Sequence, residues 1–340
     1  MAAQEHRRWE HLPEEELLDL RFCDLGLGIP GTPLERRVAR LQRELSSAGL
    51  RFRPHVWLST DWFTPDGVAG FAVPFYLAHP RLARLEKRHM LEVEGGSEEW
   101  CMKLMRHEAA HALDNAYRLR RRRRWREAFG AFTTPYRQTY VPRPTSRHFV
   151  QNLDYWYAQS HPCEDFAETF AVWLRPRSGW RKRYAGWPAL EKLRTLDALV
   201  AEIAQTPPRY RSRARPGVLS GVRTRLRQHY LQKQARYHDE LTTEYDAPLL
   251  RVFAAEGAPP GAELAARFLV RHRGALRRHV GAVTGQHPYL ISQVLNDLKL
   301  RCRKLGLRVV RSEEETLLKG VALVTVLTLD FLVQPSEYRR

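Results

Sequence analysis

The stretch 107–117 reads HEAAHALDNAY, and its first five residues form an HExxH pattern. On a helix, residues four apart share a face, so His107 and His111 can present both imidazoles to one zinc ion. Glu108 lies one step around, where a carboxylate can hydrogen-bond a zinc-bound water and take its proton as general base. Ala109 and Ala110 leave the helix free to pack closely.

Working upstream, Ser97 followed by Glu98 and Glu99 predicts the start of this helix, because a serine caps free amides and carboxylates suit the positive end of the dipole. The helical pattern is expected to reach about Phe129. Before it, Arg53–Ser59 and Val68–Leu77 are rich in Val, Phe, Trp and Tyr, with Thr64-Pro65-Asp66-Gly67 between them. That pattern predicts a β-hairpin. By analogy with folds of this kind, Gly70–Leu77 is expected to be an edge strand that pairs with an extended substrate. Earlier still, Leu34, Val38, Leu41 and Leu45 recur at helical spacing and Gly49 closes the run.

Working downstream, the stretch 159–174 reads QSHPCEDFAETFAVWL. Pro162 suits the first position of a helix, and Pro176 stops it. A catalytic zinc needs a third protein ligand and an open position. Candidates are Asp114, His148, the His161/Cys163 pair and Glu164. Asp114 is awkwardly placed for completing a tetrahedron begun on its own helix, so a bond to a ligand imidazole suits it better. Glu164 and Glu168 share a helical face, beside an apolar stripe of Phe166, Phe170 and Trp173. An ordinary amphipathic helix would show the same stripe.

Together these two segments resemble a bacterial zinc-binding metallopeptidase family, over about Leu50 to Leu199. More loosely they are similar to the gluzincin-type peptidases that include anthrax lethal factor and the Mtf peptidase. The resemblance implies one zinc per chain on His107, His111 and Glu164, with Glu168 orienting a ligand histidine. It also implies a tyrosine seven residues before the ligand glutamate that supports the transition state. Tyr157 has that spacing and Tyr155 competes with it. The implied activity is hydrolysis of a peptide or protein substrate. The implied fold is α+β: a zincin-like domain with a small β-hairpin or sheet and an active-site helix over 1–204. A Pro/Arg/Ser-rich linker is expected over 205–221, and a helical domain over 222–340, with helices near Val222–Ala255, Ala262–Val280 and His287–Lys304 and one beginning at Ser312.

The 340 residues carry a net charge of +18, which favours acidic partners or nucleic acid without choosing between them. The run Arg118–Arg126 is the candidate surface, and a zincin scaffold that binds such partners with little turnover is the rival reading. Cations also sit comfortably at a helix end, and such runs are often solvated faces. The four cysteines are scattered, which argues against a disulfide framework. The charged N-terminus argues against a secretory signal. Gly320–Leu329 is too short an apolar run to span a bilayer. A cytoplasmic protein with no membrane role is expected.

Overall fold

The computed structural model describes residues 8–90, 93–136, 143, 146–153, 156–235, 245–255, 257–259 and 261–333. The chain is mostly helical with a two-stranded parallel sheet. It divides into two compact units, 1–87 with 93–229, and 88–92 with 230–340. Among the described residues no helix is long and apolar enough to cross a membrane.

The first unit contains helices α1 (Glu14–Asp19), α2 (Pro33–Ser47), most of α3 (Pro80–Met90), α4 (Glu98–Tyr117), α5 (Arg123–Phe129), α6 (Pro162–Leu174), α7 (Trp180–Arg183) and α8 (Ala189–Ile203). Ser97 caps α4 by accepting from the Trp100 amide at 3.2 Å. From Cys101 onward α4 is buried on nearly every face, so it is the central helix of this unit rather than an amphipathic surface element. It packs against α6, α2 and the second strand, and alanines at 109, 110, 112 and 116 permit that close approach. Arg106, on its buried surface, forms a two-pronged ion pair with Glu44 of α2 at 2.7 and 2.9 Å.

The helix ends earlier than its pattern predicts. Arg118 adopts a left-handed conformation with φ 53°, and a short 3-10 turn over Leu119–Arg121 leads to α5. The cause is Asp114, whose carboxylate accepts from the Arg120 amide at 2.6 Å and from its guanidinium. That contact folds the chain back on the last turn.

The predicted hairpin is a parallel pair instead. Strands β1 (His55–Ser59) and β2 (Gly70–Pro74) run in the same direction, with His55 opposite Gly70 and Ser59 opposite Pro74. The connection returns across the sheet, and Phe63 bridges antiparallel to Ala72, whose amide donates to the Phe63 carbonyl at 2.8 Å. Both sides of β2 are therefore occupied at its centre, and all five of its residues are buried. This leaves no open edge at Ala72 for an extended substrate. Gly70 is required by the close approach, since a Cβ there would lie 2.3 Å from the His55 carbonyl oxygen.

The stretch expected to be a linker, 205–221, belongs to the first unit. It has little regular structure, so its backbone finds partners on neighbouring elements. Gln205 N donates to Gly49 O at 3.1 Å and Tyr210 N to Ala116 O at 3.0 Å. Trp57 Nε1 and Ser59 Oγ donate to Pro216 O and Gly217 O at 3.0 and 2.7 Å.

Of the long helix expected over 222–255, the described residues form α9 (Leu226–Ala235), which starts later than expected, and a second helix from Asp246; residues 236–244 lie outside the described residues. In the second unit lie α10 (Asp246–Val252), α11 (Ala265–Arg271), α12 (Arg273–Thr284), α13 (Pro288–Lys304) and α14 (Glu313–Val333). Their core includes Phe253, Phe268, Leu276, Ile291, Leu298 and Val324. The expected 262–280 helix is split at His272, whereas 287–304 forms as predicted. Ser312 caps α14 by accepting from Glu315 N at 3.3 Å, and the apolar segment is helical.

Candidate metal centre

Helices α4 and α6 bring His107, His111 and Glu164 to one point. Among the described residues they are the cluster whose ligand atoms could hold a metal ion, all lying within 4.8 Å of one another. His107 Nε2 is 3.0 Å from Glu164 Oε2, His111 Nε2 is 3.3 Å from the same oxygen, and the two Nε2 atoms are 3.2 Å apart. A tetrahedral ion with bonds of about 2.0–2.1 Å sets its ligand atoms about 3.3–3.4 Å apart. The spacing and the donor types, two imidazoles and a carboxylate, both fit.

The contacts of His107 admit either a cation or a second proton at its Nε2. His107 Nδ1 lies 2.8 Å from Glu168 Oε1, so the neutral imidazole donates there and its Nε2 carries a lone pair. That lone pair faces a carboxylate oxygen at 3.0 Å. Two acceptors at that distance repel unless a cation or a second proton lies between them. Burial opposes the charge on His107, but Glu164 and Glu168 outweigh it and raise its pKa well above the usual value. Burial likewise pushes Glu164 up, yet His111 and His107 hold it far below the ordinary carboxylate range.

Glu168 is almost fully buried. Besides His107 it accepts from Asn152 Nδ2 at 2.9 Å and from Leu153 N at 2.7 Å. Such a carboxylate fixes both the tautomer and the orientation of the imidazole it holds.

Glu108 accepts from Thr64 Oγ1 at 2.8 Å through Oε2. Among the described residues its Oε1 makes no protein hydrogen bond. Thr64 reaches it because Asn115, two turns along α4, donates to Pro65 O and Val68 O at 2.9 and 3.0 Å. The connection between the strands is thus tied to the metal helix.

Other sequence candidates lie elsewhere. Asp114 is taken by Arg120, and among the described residues none of its hydrogen bonds goes to an imidazole. His161 caps α6 by accepting from Cys163 N at 3.1 Å, and its other nitrogen is 2.7 Å from Thr134 O. Burial pushes the Cys163 thiol up to about 11, which leaves it a poor nucleophile. His148 is exposed and outside the cluster. Tyr157 is half-exposed, its ring 5.6 Å from that of His107. Tyr155 lies outside the described residues.

Two polar neighbours escaped the sequence reading. One is Thr64. The other is Tyr136, whose hydroxyl donates to Glu164 Oε1 at 2.8 Å while its ring stacks on His161 at 3.7 Å. The residue is exposed overall, but desolvation of its hydroxyl and the adjacent Glu164 raise its pKa, so it stays a donor. Neither residue belongs to a spaced motif that would announce it.

Four of the seven arginines in the basic run pair with carboxylates within the fold. Arg120 meets Asp114 and Asp66, Arg122 and Arg124 share Glu202, and Arg123 pairs with Glu127. No protein-family model, curated protein or solved structure matches the chain.

Proposed function

We propose that the chain is a zinc-dependent peptide-bond hydrolase with a zincin-like first unit. The observation that carries this reading is the convergence of His107, His111 and Glu164 at ligand spacing, with both histidines on the helix that also bears Glu108. Zinc, rather than a harder cation, suits a set of two imidazoles and one carboxylate. When bound, zinc supplies Lewis acidity toward a carbonyl and makes water a stronger acid.

The remaining roles fall to the chain's own residues. Glu108, with Oε2 held by Thr64, takes a proton from the attacking water on Oε1 and passes it to the leaving amine. Glu168 keeps Nδ1 of His107 protonated, so that Nε2 stays a lone-pair donor. Tyr136 occupies Oε1 of Glu164 and leaves Oε2 toward the histidines. Tyr157, half-exposed near His107, is assigned as oxyanion donor. The substrate class is a peptide or protein. The free cysteines suit a reducing compartment such as the cytoplasm.

The pairing of four of the run's seven arginines with carboxylates reduces, without removing, the support for the rival reading, in which that surface binds nucleic acid or an acidic protein. The deciding experiment is elemental analysis combined with hydrolysis of a mixed peptide library. Wild-type protein should carry about one zinc per chain, and Glu108→Gln should keep the metal while hydrolysis disappears. Metal-free protein from a zinc-replete preparation, or undiminished hydrolysis by Glu108→Gln, would overturn the assignment.

A further inference from the structure

Part of the positive charge lies beyond the arginine run. A cleft of ≈ 530 Å³ in the first unit is lined by Arg51, Arg53, Arg211 and Arg213, with His55 and Tyr210 in its wall. No aspartate or glutamate lines it. Among the described residues none of these four arginines has a carboxylate partner, whereas Arg40, Arg106, Arg120, Arg122, Arg123 and Arg124 all do. Four guanidinium groups around one cleft repel one another, a cost that a bound anion removes.

The cleft is built from anchored chain. The stretch 205–214 is held by Gln205 N to Gly49 O at 3.1 Å, Tyr210 N to Ala116 O at 3.0 Å and Ala69 N to Ser212 O at 3.4 Å. The ring of His55 meets Ala214 O at 3.0 Å. Two of the arginines are fixed through Nε, Arg51 by Gln205 Oε1 at 2.9 Å and Arg211 by Pro208 O at 3.2 Å. Neutral oxygens orient these side chains without cancelling their charge, and the terminal nitrogens stay available. Arg118 lies 3.6 Å over the Tyr210 ring, adding a cation to the same wall.

We propose that this cleft binds a compact phosphate-bearing anion. The planar guanidinium fork matches phosphate oxygens two at a time. The volume lies in the range of small-ligand sites. A diphosphate concentrates several negative charges on a few atoms, whereas carboxylates would need as many side chains as charges to balance the same arginines. The source is either a free polyphosphate or the diphosphate of a nucleotide.

Calorimetric titration of the full chain with pyrophosphate, at fixed ionic strength and against sulfate as reference, tests the proposal. Saturable binding is expected, tighter than sulfate. Arg53→Gln/Arg213→Gln should weaken it by about tenfold or more, as loss of charge-assisted hydrogen bonds implies. The charge-matched pair Arg121→Gln/Arg126→Gln, outside the cleft, should leave it nearly unchanged. This control separates the cleft from general charge and from pyrophosphate bound at the histidine cluster. A nucleoside diphosphate binding more tightly than pyrophosphate assigns the nucleotide source; equal affinity assigns the free polyphosphate. The proposal is overturned if pyrophosphate binds no better than sulfate, or if both double variants bind alike. Hexaglutamate or a single-stranded oligonucleotide outcompeting pyrophosphate for the same arginines would overturn it as well. Zinc content and peptide hydrolysis do not enter these readouts, so failure here and failure of the hydrolase reading are distinguishable.

Discussion

Thr64 donates its hydroxyl to Glu108 Oε2 at 2.8 Å, across 44 positions of sequence. The bond fixes one oxygen of the carboxylate assigned as base and leaves the other without a protein hydrogen bond among the described residues. Thr64→Val preserves shape and removes the donor. A charge-assisted hydrogen bond of this kind contributes about 1.5–3 kcal/mol, so kcat should fall about tenfold or more while zinc content stays at the wild-type level. Thr64→Ser should restore most of the rate. Steady-state kinetics with parallel metal analysis check this, and a change confined to KM would count against the orienting role.

Glu168 holds His107 from behind, and its own oxygens are held by Asn152 and Leu153. Glu168→Gln keeps a hydrogen-bond acceptor but loses the charge that makes the imidazole a strong ligand. Mutations of such supporting carboxylates cost about 10–100-fold in metal affinity. Competition with a chromophoric chelator should show a loss of that size. Asn152→Ala, which removes one of three donors to Glu168, should show a smaller loss in the same direction.

How much of this site can be read from sequence follows from where its parts lie. His107 with His111, and Glu164 with Glu168, are pairs four residues apart on helices, and local spacing alone places each on a common face. Thr64 and Tyr136 come from irregular segments and arrive through tertiary contacts, with the Asn115 bonds to Pro65 and Val68 and the stacking on His161 as the visible causes. The strand pair shows the opposite failure. Thr64-Pro65-Asp66-Gly67 is a sound local turn signal, but the antiparallel bridge at Ala72 is made by Phe63, and β1 ends up parallel to β2. The helix end at Arg118 was hidden for a similar reason, because it depends on Asp114 capturing Arg120 rather than on a glycine or proline.

The ion pair between Arg106 and Glu44 is almost fully shielded, with side chains 4% and 6% exposed. Removing one partner leaves a buried charge, a change that costs about 3–5 kcal/mol, whereas replacing both by apolar groups is often neutral. Glu44→Leu should therefore lower the denaturation midpoint severely, and Glu44→Leu/Arg106→Leu should recover much of it. Arg40 also reaches Glu44, at 3.1 Å, so the single variant Arg106→Leu should be milder than Glu44→Leu. Urea unfolding of the three variants ranks them directly.

Metal removal should act on stability as well as on activity. The lone pair of His107 Nε2 and the Glu164 oxygen stand 3.0 Å apart within a buried site, so stripping the cation exposes a repulsion that only protonation or local rearrangement can relieve. A ligand that binds the native state alone stabilises it by RT ln(1 + [L]/Kd), about 4 kcal/mol at a thousandfold excess over Kd. Chelated wild-type protein should melt several degrees below the zinc-loaded form. His111→Ala should melt near the chelated value whether or not zinc is added, since it lacks one of the three ligand atoms. Calcium should not substitute, because it prefers six to eight oxygen ligands and this cluster offers two nitrogens and one carboxylate. Differential scanning calorimetry with and without chelator separates these outcomes: equal melting temperatures for chelated and zinc-loaded wild type would mean that the cluster holds no structural or catalytic ion.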